Sequence, residues 1–352
     1  MKPANRLSFD YRTLAQGFRP LKYPIVDVHS HIQGHEATGI YARAAEEHGI
    51  GLTYSMTPLK EISAVKRILG ERIQFISIPD FSSKDRMNAV GAGYQRQLPE
   101  FKKHGAKIAK FWNAPRIYDA SDDSFATSPF RLNASERIEC MKVAQDLGMI
   151  FMAHVGDPDT WFQTKYQDAN KYGTKSQQYD IFEEVLDTFT VPWIAAHMGG
   201  SPEDLQRLSG LLERHSNLYL DCSATKWIVR ELSKHPPEKV RAFFIRWKER
   251  ILFGSDIVTS DAHLNADSSS TEMEAKSSSV EDAYDLYASR YWALRTLLET
   301  DYEGPSPIAD PDLHLVDPQS FTPLDAPILR GCALPEDVLR ALYLDNAQSL
   351  LK

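Results

Sequence analysis

Short apolar runs bounded by turn residues recur along the whole chain. Eight of them have the length of strands: "YPIVDVH", "IGLTYSM", "RIQFISIP", "AKIAKFW", "MIFMAHV", "VPWIAAH", "NLYLDCS" and "RILFGSD". Near-continuous apolar runs of this kind are typical of parallel strands covered on both faces. Stretches with helical spacing lie between them. The alternation predicts an α/β fold, a (β/α)8 TIM barrel rather than an open doubly wound sheet.

Several helices have recognisable first residues. Ser279, Ser201, Asn133 and Thr57 each stand where an N-cap is expected, before apolar residues at helical spacing. The segment 305–327 is proline-rich, and we expect it to be irregular. The last stretch, "LPEDVLRALYLDNAQSLL", predicts an amphipathic helix that packs on the outside of the barrel.

Three connections are longer than a barrel needs, and all three leave the C-terminal ends of strands. They are Asn113–Asn133, Val155–Lys175 and Ile257–Ser279. Long βα loops at that face usually cover a pocket, although the serine-rich third loop is equally compatible with a surface insertion. We expect one domain over 1–352, with an N-terminal extension at 1–22 and a C-terminal extension and helix at 300–352.

The composition narrows the class of protein. The 352 residues are 42% hydrophobic and 25% charged with a net charge of -8, which is typical of a globular protein and argues weakly against nucleic acid as a partner. No apolar run is long enough for a bilayer, the N-terminus does not resemble a secretory signal, and the three cysteines have no paired spacing. We therefore expect a cytoplasmic protein with a small-molecule substrate and no membrane partner; a homodimer stays open.

The first strand ends in a His-x-His pair. His29 and His31 are two residues apart, so their side chains point to the same face of the strand while Ser30 points away. Two imidazoles at that spacing can bind one metal ion. Taken alone, the pair is equally consistent with two histidines that end a strand at the surface.

Further polar residues stand at the ends of later strands. They are Lys110, His154, His197 and Asp256. Each has a simpler explanation alone, such as a hydrogen bond to a loop or a helix cap. In a closed barrel, however, all C-terminal strand ends surround one mouth, so these side chains are expected to converge with His29 and His31. Four other histidines are expected at the surface, namely His48, His104, His215 and His235.

This pattern resembles the amidohydrolase superfamily. "DVHSH", Lys110, His154, His197 and "GSD" on successive strands are similar to its amidohydrolase-related branch, which includes the aminocarboxymuconate-semialdehyde decarboxylase-like enzymes. The resemblance runs from Tyr23 to the final helix. It implies one divalent metal ion, with His29, His31, His154 and Asp256 as ligands. It also implies that His197 is a catalytic neighbour that contacts substrate.

The chemistry of these side chains is consistent with that implication. Three imidazoles and a carboxylate suit catalytic Zn2+, and also Mn2+, Fe2+ or Co2+. Such an ion activates water, Asp256 would take the proton as general base, and His197 would stabilise developing charge or move a proton. For Lys110, the resemblance implies three alternatives: a carbamylated lysine that bridges two metal ions, a lysine that contacts substrate, or a lysine outside the metal site; we favour a single metal ion.

We therefore predict a metal-dependent hydrolase that acts on a small amide, ester or lactone. The alternative is a metal-dependent, non-oxidative decarboxylase of an aromatic or unsaturated carboxylic acid. A non-catalytic metal-binding barrel is a third hypothesis, which nothing in the sequence favours. The expected substrate-binding residues are Lys110, Trp112, Arg116 and Trp161. Arg116 would pair with a substrate carboxylate, although a surface ion pair explains an arginine there equally well.

Overall fold

The computed structural model describes residues 2–265 and 277–352. Its contacts divide the chain into two compact units. Unit 1 comprises Met1–Gln74 and Cys222–Lys352, and unit 2 comprises Phe75–Asp221. The part of the serine-rich loop from 266 to 276 lies outside the described residues, and so does the prediction made for it.

Unit 2 is built on consecutive parallel strands in the order β3-β4-β5-β6-β7. Strand β3 begins two residues before the boundary of the unit. The strands are β3 (Ile73–Ser77), β4 (Ile108–Asn113), β5 (Ile150–Val155), β6 (Trp193–Ala195) and β7 (Leu218–Asp221). The helices are α4 (Arg86–Val90), α5 (Ala92–Lys103), α6 (Ser135–Asp146), α7 (Asp159–Phe162), α8 (Ala169–Tyr172), α9 (Lys175–Thr188), α10 (Ala196–Gly199) and α11 (Leu205–Arg214).

The two faces of these strands differ in chemistry. Phe111 on β4, Phe151 on β5 and Trp193 on β6 are buried, with ring centroids 5.2 Å apart for the first pair and 4.9 Å for the second. Phe182 of α9 packs on Trp193, so this face is covered by helices. Because side chains alternate along a strand, the residues between them point to the opposite face. Lys110, Trp112 and His154 therefore share the face that the helices do not cover.

Unit 1 contains the first and last strands of the parallel sheet. Strand β1 pairs in parallel with both β2 and β9. The strands are β1 (Ile25–His31), β2 (Ile50–Ser55), β8 (Ile251–Leu252), β9 (Ile257–Val258) and an antiparallel pair, β10 (Glu303–Pro305) with β11 (Ile328–Arg330). The helices are α1 (Tyr11–Gln16), α2 (His35–Glu47), α3 (Ile62–Leu69), α12 (Thr225–Leu232), α13 (Pro237–Arg246), α14 (Val280–Glu299), α15 (Asp312–Val316), α16 (Glu336–Arg340) and α17 (Asn346–Leu350).

The parallel strands and the helices that alternate with them confirm the predicted class, a TIM-barrel-like α/β fold. The last predicted strand, "RILFGSD", is divided: β8 ends at Leu252, and β9 begins at Ile257 after a turn that contains Asp256. Within residues 2–265 and 277–352, no helix is both long and apolar enough to cross a membrane.

The predictions about helix N-caps and about the proline-rich segment were confirmed only in part. The Ser279 hydroxyl does accept from the Asp282 amide at the start of α14, as predicted. The cap at Ser201 is wrong, because α11 begins at Leu205 and the Asp204 carboxylate accepts from the first turn. Helix α6 begins after Ala134, one residue later than predicted. The segment 305–327 is not wholly irregular, because it contains α15.

Candidate functional site

In unit 1, the two histidines of β1 meet one carboxylate. The Nε2 atoms of His29 and His31 lie 3.4 Å and 3.1 Å from Oδ1 of Asp256. The ring centroids of the two histidines are 5.8 Å apart, as expected for side chains on the same face of a strand. His29 is buried, whereas His31 and Asp256 are partly exposed. Three potential ligand atoms thus converge at the end of β1.

This group fits a divalent metal ion. An ion about 2.1 Å from each of its ligands separates neighbouring ligand atoms by roughly 3.0–3.4 Å, and the distances to Asp256 lie in or at the edge of that range. The hydrogen bond between His29 and Ser223 is also compatible with metal binding. When Nδ1–H of His29 donates to the Ser223 hydroxyl, 3.1 Å away, Nε2 keeps the lone pair that a metal ion requires.

A buried carboxylate beneath the pair supports it. Asp27 is fully buried and accepts from the backbone amide of His29, from the amide and hydroxyl of Ser255, and from the hydroxyl of Tyr291. Burial raises the pKa of Asp27 to about 6, although these donors oppose the shift. The carboxylate therefore links β1, the β8–β9 turn and α14. The sequence analysis quoted Asp27 within "DVHSH" but gave it no role.

The turn that carries Asp256 has an uncommon backbone. Asp256 adopts a φ of 57°, in the left-handed region, and its amide donates to the carbonyl of His29 at 2.7 Å. A residue other than glycine in this region costs about 1–3 kcal/mol and persists only where its surroundings hold it. Here the hydrogen bonds to β1 and Asp27 supply that restraint. The result is a carboxylate aimed at the two imidazoles.

In unit 2, His154 at the end of β5 pairs with an aspartate three residues later. Its Nε2 lies 2.7 Å from Oδ1 of Asp157, which is fully buried. Between them, Gly156 has a φ of 64°, so the chain turns sharply and brings the carboxylate back onto the ring. Asp157 was missed from the sequence. The "HVGD" spacing, with a glycine between a histidine and an aspartate, is the pattern that would have revealed it.

His197 follows β6 and packs against the ring of His154. The two ring centroids are 4.7 Å apart, with an edge-to-face angle of 76°. His197 has a φ of 58°, so the segment named α10 is not a regular helix at this position. Its amide donates to the carboxylate of Asp221 at the end of β7. This hydrogen bond holds His197 in an orientation that propensity alone would not favour.

The structure places the expected substrate-binding residues of unit 2 in two settings. Lys110 is buried on the same face of β4 as Trp112, and the Trp112 ring lies 6.5 Å from that of His154. Phe81, after β3, packs edge-to-face on Trp112. The rings of Phe81, Trp112, His154 and His197 thus form a row across the ends of four neighbouring strands, which we call the ring row.

The other two expected substrate-binding residues lie in the long loops. Arg116 is exposed in a short 3-10 helix, Pro115–Ala120. Trp161 belongs to α7 and is partly exposed, with the ammonium of Lys165 3.5 Å from the centre of its ring. Neither position decides between a substrate contact and a surface role, and both assignments stay predictions.

Two histidines expected at the surface are instead buried. His48 is fully buried, its Nδ1 is hydrogen-bonded to the carbonyl of Ala44, and burial lowers its pKa to about 4. His215 is buried beside Glu183. Both stand at helix C-termini, where the backbone turns back towards the core. His104 is exposed as expected, and His235 is partly exposed.

Comparisons with known proteins place the chain in context. A family model described as Amidohydrolase matches residues 102–352, more than half of the chain. No curated protein matches the sequence. Among solved structures, it is similar to 5-carboxyvanillate decarboxylase from Novosphingobium aromaticivorans, complexed with manganese and 4-hydroxy-3-methoxy-5-nitrobenzoic acid. Identity is 9% and the TM-score 0.45, over 94% of this chain and 96% of that one.

A second similarity concerns a different enzyme. A truncated 3-deoxy-D-arabino-heptulosonate 7-phosphate synthase from Thermotoga maritima is 9% identical with a TM-score of 0.37, over 75% of this chain and 84% of that one. Structural similarities this weak carry no conclusion about substrate. The assignment of the chain to a family therefore depends on the family match alone.

Proposed function

The chain belongs to the amidohydrolase family, and within that family we propose that it is a divalent-metal-dependent hydrolase acting on a small polar substrate. The function predicted from sequence, metal-dependent hydrolysis with decarboxylation as the alternative, agrees with this membership. The membership does not favour one of the two reactions. The proposal of hydrolysis comes from the chemistry of the side chains in unit 1.

One observation carries the proposal: the Nε2 atoms of His29 and His31 lie 3.4 Å and 3.1 Å from Oδ1 of Asp256, and potential ligand atoms of the three residues all lie within 4.8 Å of one another. We propose Zn2+ as that ion, because imidazole and carboxylate donors suit it, with Mn2+, Fe2+ and Co2+ as alternatives. His154 is proposed as the fourth ligand. When bound, such an ion lowers the pKa of water towards roughly 7 and polarises a substrate carbonyl.

The protein's own side chains have distinct tasks in this scheme. Asp256 is partly exposed, and its carboxylate is proposed to accept a proton from the attacking water as general base. His29 and His31 are proposed to ligate the ion through Nε2, the atom that each directs at Asp256. Asp27 receives four donors and holds β1 and the β8–β9 turn in register.

His197 is proposed as the group that contacts substrate. Its backbone is fixed by Asp221, and its ring packs on His154, so the imidazole has little freedom to rotate. A fixed imidazole can donate to a carbonyl oxygen as negative charge develops, or deliver a proton to the leaving group. Lys110 is proposed as a substrate contact.

The ring row supports the second candidate, decarboxylation of an aromatic or unsaturated acid. Trp112 and Phe81 are partly exposed, and their aromatic surface suits a flat substrate. The buried cation of Lys110, two residues from Trp112 on the same face, would pair with a carboxylate. A lactone or ring amide is also flat, so the ring row alone does not separate the two reactions.

Metal analysis and product analysis together test the proposal. Purified protein supplemented with Zn2+ or Mn2+ should retain about one divalent ion per chain, and His29→Ala should lower that content. The protein would then be assayed on matched panels of lactones, cyclic amides and unsaturated acids. Acid release without carbon dioxide supports hydrolysis, and carbon dioxide release supports decarboxylation. Loss of neither metal nor activity in His29→Ala would contradict the whole scheme.

A further inference from the structure

The hydrogen bond between His154 and Asp157 determines which nitrogen of His154 carries the proton. Asp157 is fully buried, and its Oδ1 lies 2.7 Å from Nε2 of His154. A buried carboxylate is stable only if it is hydrogen-bonded, and an ionised carboxylate only accepts. When Asp157 is ionised, the proton in this hydrogen bond is therefore on Nε2 of the imidazole. In the neutral ring, the lone pair is then on Nδ1.

The backbone around the pair keeps it in this arrangement. Gly156 makes the left-handed turn between the two residues. Gly200, after His197, packs so closely on this turn that a Cβ atom there would lie 2.4 Å from the carbonyl oxygen of Gly156. The turn at Gly156 and the segment at Gly200 are therefore in close backbone contact. Burial and the neighbouring charge of Asp157 also raise the pKa of Tyr166, so Tyr166 stays a neutral phenol beside this carboxylate.

We propose that Asp157 is a positioning residue that holds His154 in the tautomer with the proton on Nε2, so that Nδ1 is the nitrogen His154 offers to a metal ion. The statement about the tautomer depends only on unit 2. The statement about the metal ion rests on the proposed function. In unit 1, by contrast, His29 and His31 present Nε2 to the carboxylate of Asp256.

The tautomer can be measured without metal. Metal-free protein labelled with 15N-histidine gives long-range 1H–15N spectra that distinguish the protonated ring nitrogen from the one with the lone pair. The His154 signals are identified by their loss in His154→Gln. We expect Nε2 to be protonated in the parent protein. In Asp157→Asn, the side chain can donate to Nε2 through Nδ2 as well as accept from it through Oδ1, so the preference for the proton on Nε2 should weaken and both tautomers should be populated.

Asp159→Asn is the matched control. It removes the same charge from the same loop, but Asp159 is exposed and pairs with Lys175 rather than with His154. Its His154 tautomer should equal that of the parent. A parent protein with the proton on Nδ1, or an Asp157→Asn variant with an unchanged tautomer, would overturn the proposal. If Asp157→Asn does not fold, Asp157→Glu keeps the carboxylate and should keep the parent tautomer, and a changed tautomer there counts equally against it.

The second readout is the affinity for Zn2+, measured by competition with a chelator. Loss of a carboxylate partner from a ligating histidine typically weakens metal binding by roughly 10–100-fold, and we expect this for Asp157→Asn but not for Asp159→Asn. A changed tautomer with unchanged Zn2+ affinity would remove His154 Nδ1 from the ligand set. If the parent protein binds no metal, the proposed function fails, while the tautomer measurement still decides the role of Asp157.

Discussion

Both units place two histidines beside aspartates, but the arrangements differ. In unit 1, two imidazoles from one strand approach the same carboxylate oxygen, that of Asp256. In unit 2, the imidazoles come from different strands, and each has its own aspartate: Asp157 binds the ring of His154, and Asp221 binds the backbone of His197. A shared carboxylate gathers ligand atoms, whereas separate carboxylates fix the orientation of each ring. The comparison is consistent with the proposal that unit 1 gathers three ligand atoms around one carboxylate, whereas unit 2 fixes the orientation of its two imidazoles, of which His154 is the proposed fourth ligand.

The largest effect is expected where the shared carboxylate is lost. Asp256→Ala should remove a ligand and the proposed general base together, so activity should fall at or beyond the upper end of roughly 10²–10⁴-fold, with metal content well below that of the parent. Metal analysis and turnover measure this. Asp261→Asn is the control, because Asp261 accepts from the first amides of α2 and belongs to the same loop. Full metal content in Asp256→Ala would remove the distinction between the units.

The next effect concerns His197. His197→Asn should keep the metal content and lower turnover by roughly 10²–10⁴-fold, because an acid–base partner is lost while the ligands remain. Elemental analysis beside steady-state kinetics separates the two outcomes. If metal and activity disappear together, His197 is a ligand, and unit 2 contributes a second ligand beside the proposed His154.

A matched pair of tyrosines compares the supports of the two groups. Tyr291→Phe removes a donor to the buried carboxylate of Asp27, whereas Tyr179→Phe removes a donor to the backbone carbonyl of Gly199. A hydrogen bond to a charged group contributes about 1.5–3 kcal/mol, and one between neutral groups about 0.5–1.5 kcal/mol. Chemical denaturation should therefore show the larger loss of unfolding free energy for Tyr291→Phe. Equal losses would indicate that Asp27 is protonated in the folded protein.

The smallest effect is expected at Arg116. If its guanidinium pairs with a substrate carboxylate, Arg116→Lys should weaken binding of acidic inhibitors selectively, because lysine lacks the planar fork. Since Arg116 is exposed, the change should stay below about 1 kcal/mol, or about fivefold. Inhibition constants across matched acids and amides measure it, with the exposed Arg96→Lys as control. Equal inhibition of both variants by acids would assign Arg116 to the surface.

The sequence predicted the features that follow a regular spacing of residues, and it did not predict those that depend on turns or on distant residues. The apolar runs predicted the α/β barrel fold because buried parallel strands are apolar on both faces. The alternation of side chains along a strand predicted that His29 and His31 share one face. The role of Asp157 was not predicted because it depends on the turn at Gly156, and the spacing of apolar residues in strands and helices does not reveal such a turn. The role of Asp27 was not predicted because the residue lies inside an apolar strand. Most of its hydrogen-bond donors belong to Ser255 and Tyr291, which are far along the chain. Ser201 was a plausible cap, but Asp204 is an equally good one three residues later.

The left-handed backbone conformations of Asp256 and His197 could not be predicted from the sequence either. Neither Asp256 nor His197 belongs to a residue type that favours this conformation strongly enough to predict it, and hydrogen bonds from other strands impose it. The expected ligand and catalytic residues, such as His154, and the expected substrate-binding residues, such as Lys110 and Trp161, remain predictions.

Unit 1 is discontinuous in sequence, and this has a consequence for biosynthesis. Ser255 and Asp27, which hold the turn of Asp256 against β1, are 228 residues apart. A ribosome completes all of unit 2 before it makes the second half of unit 1. The nascent chain can therefore bury the aromatic residues of unit 2 early, whereas β1 can pair with β9 only after the second half of unit 1 has been made. Because contacts of such long separation form slowly, we expect metal uptake to follow release of the finished chain from the ribosome.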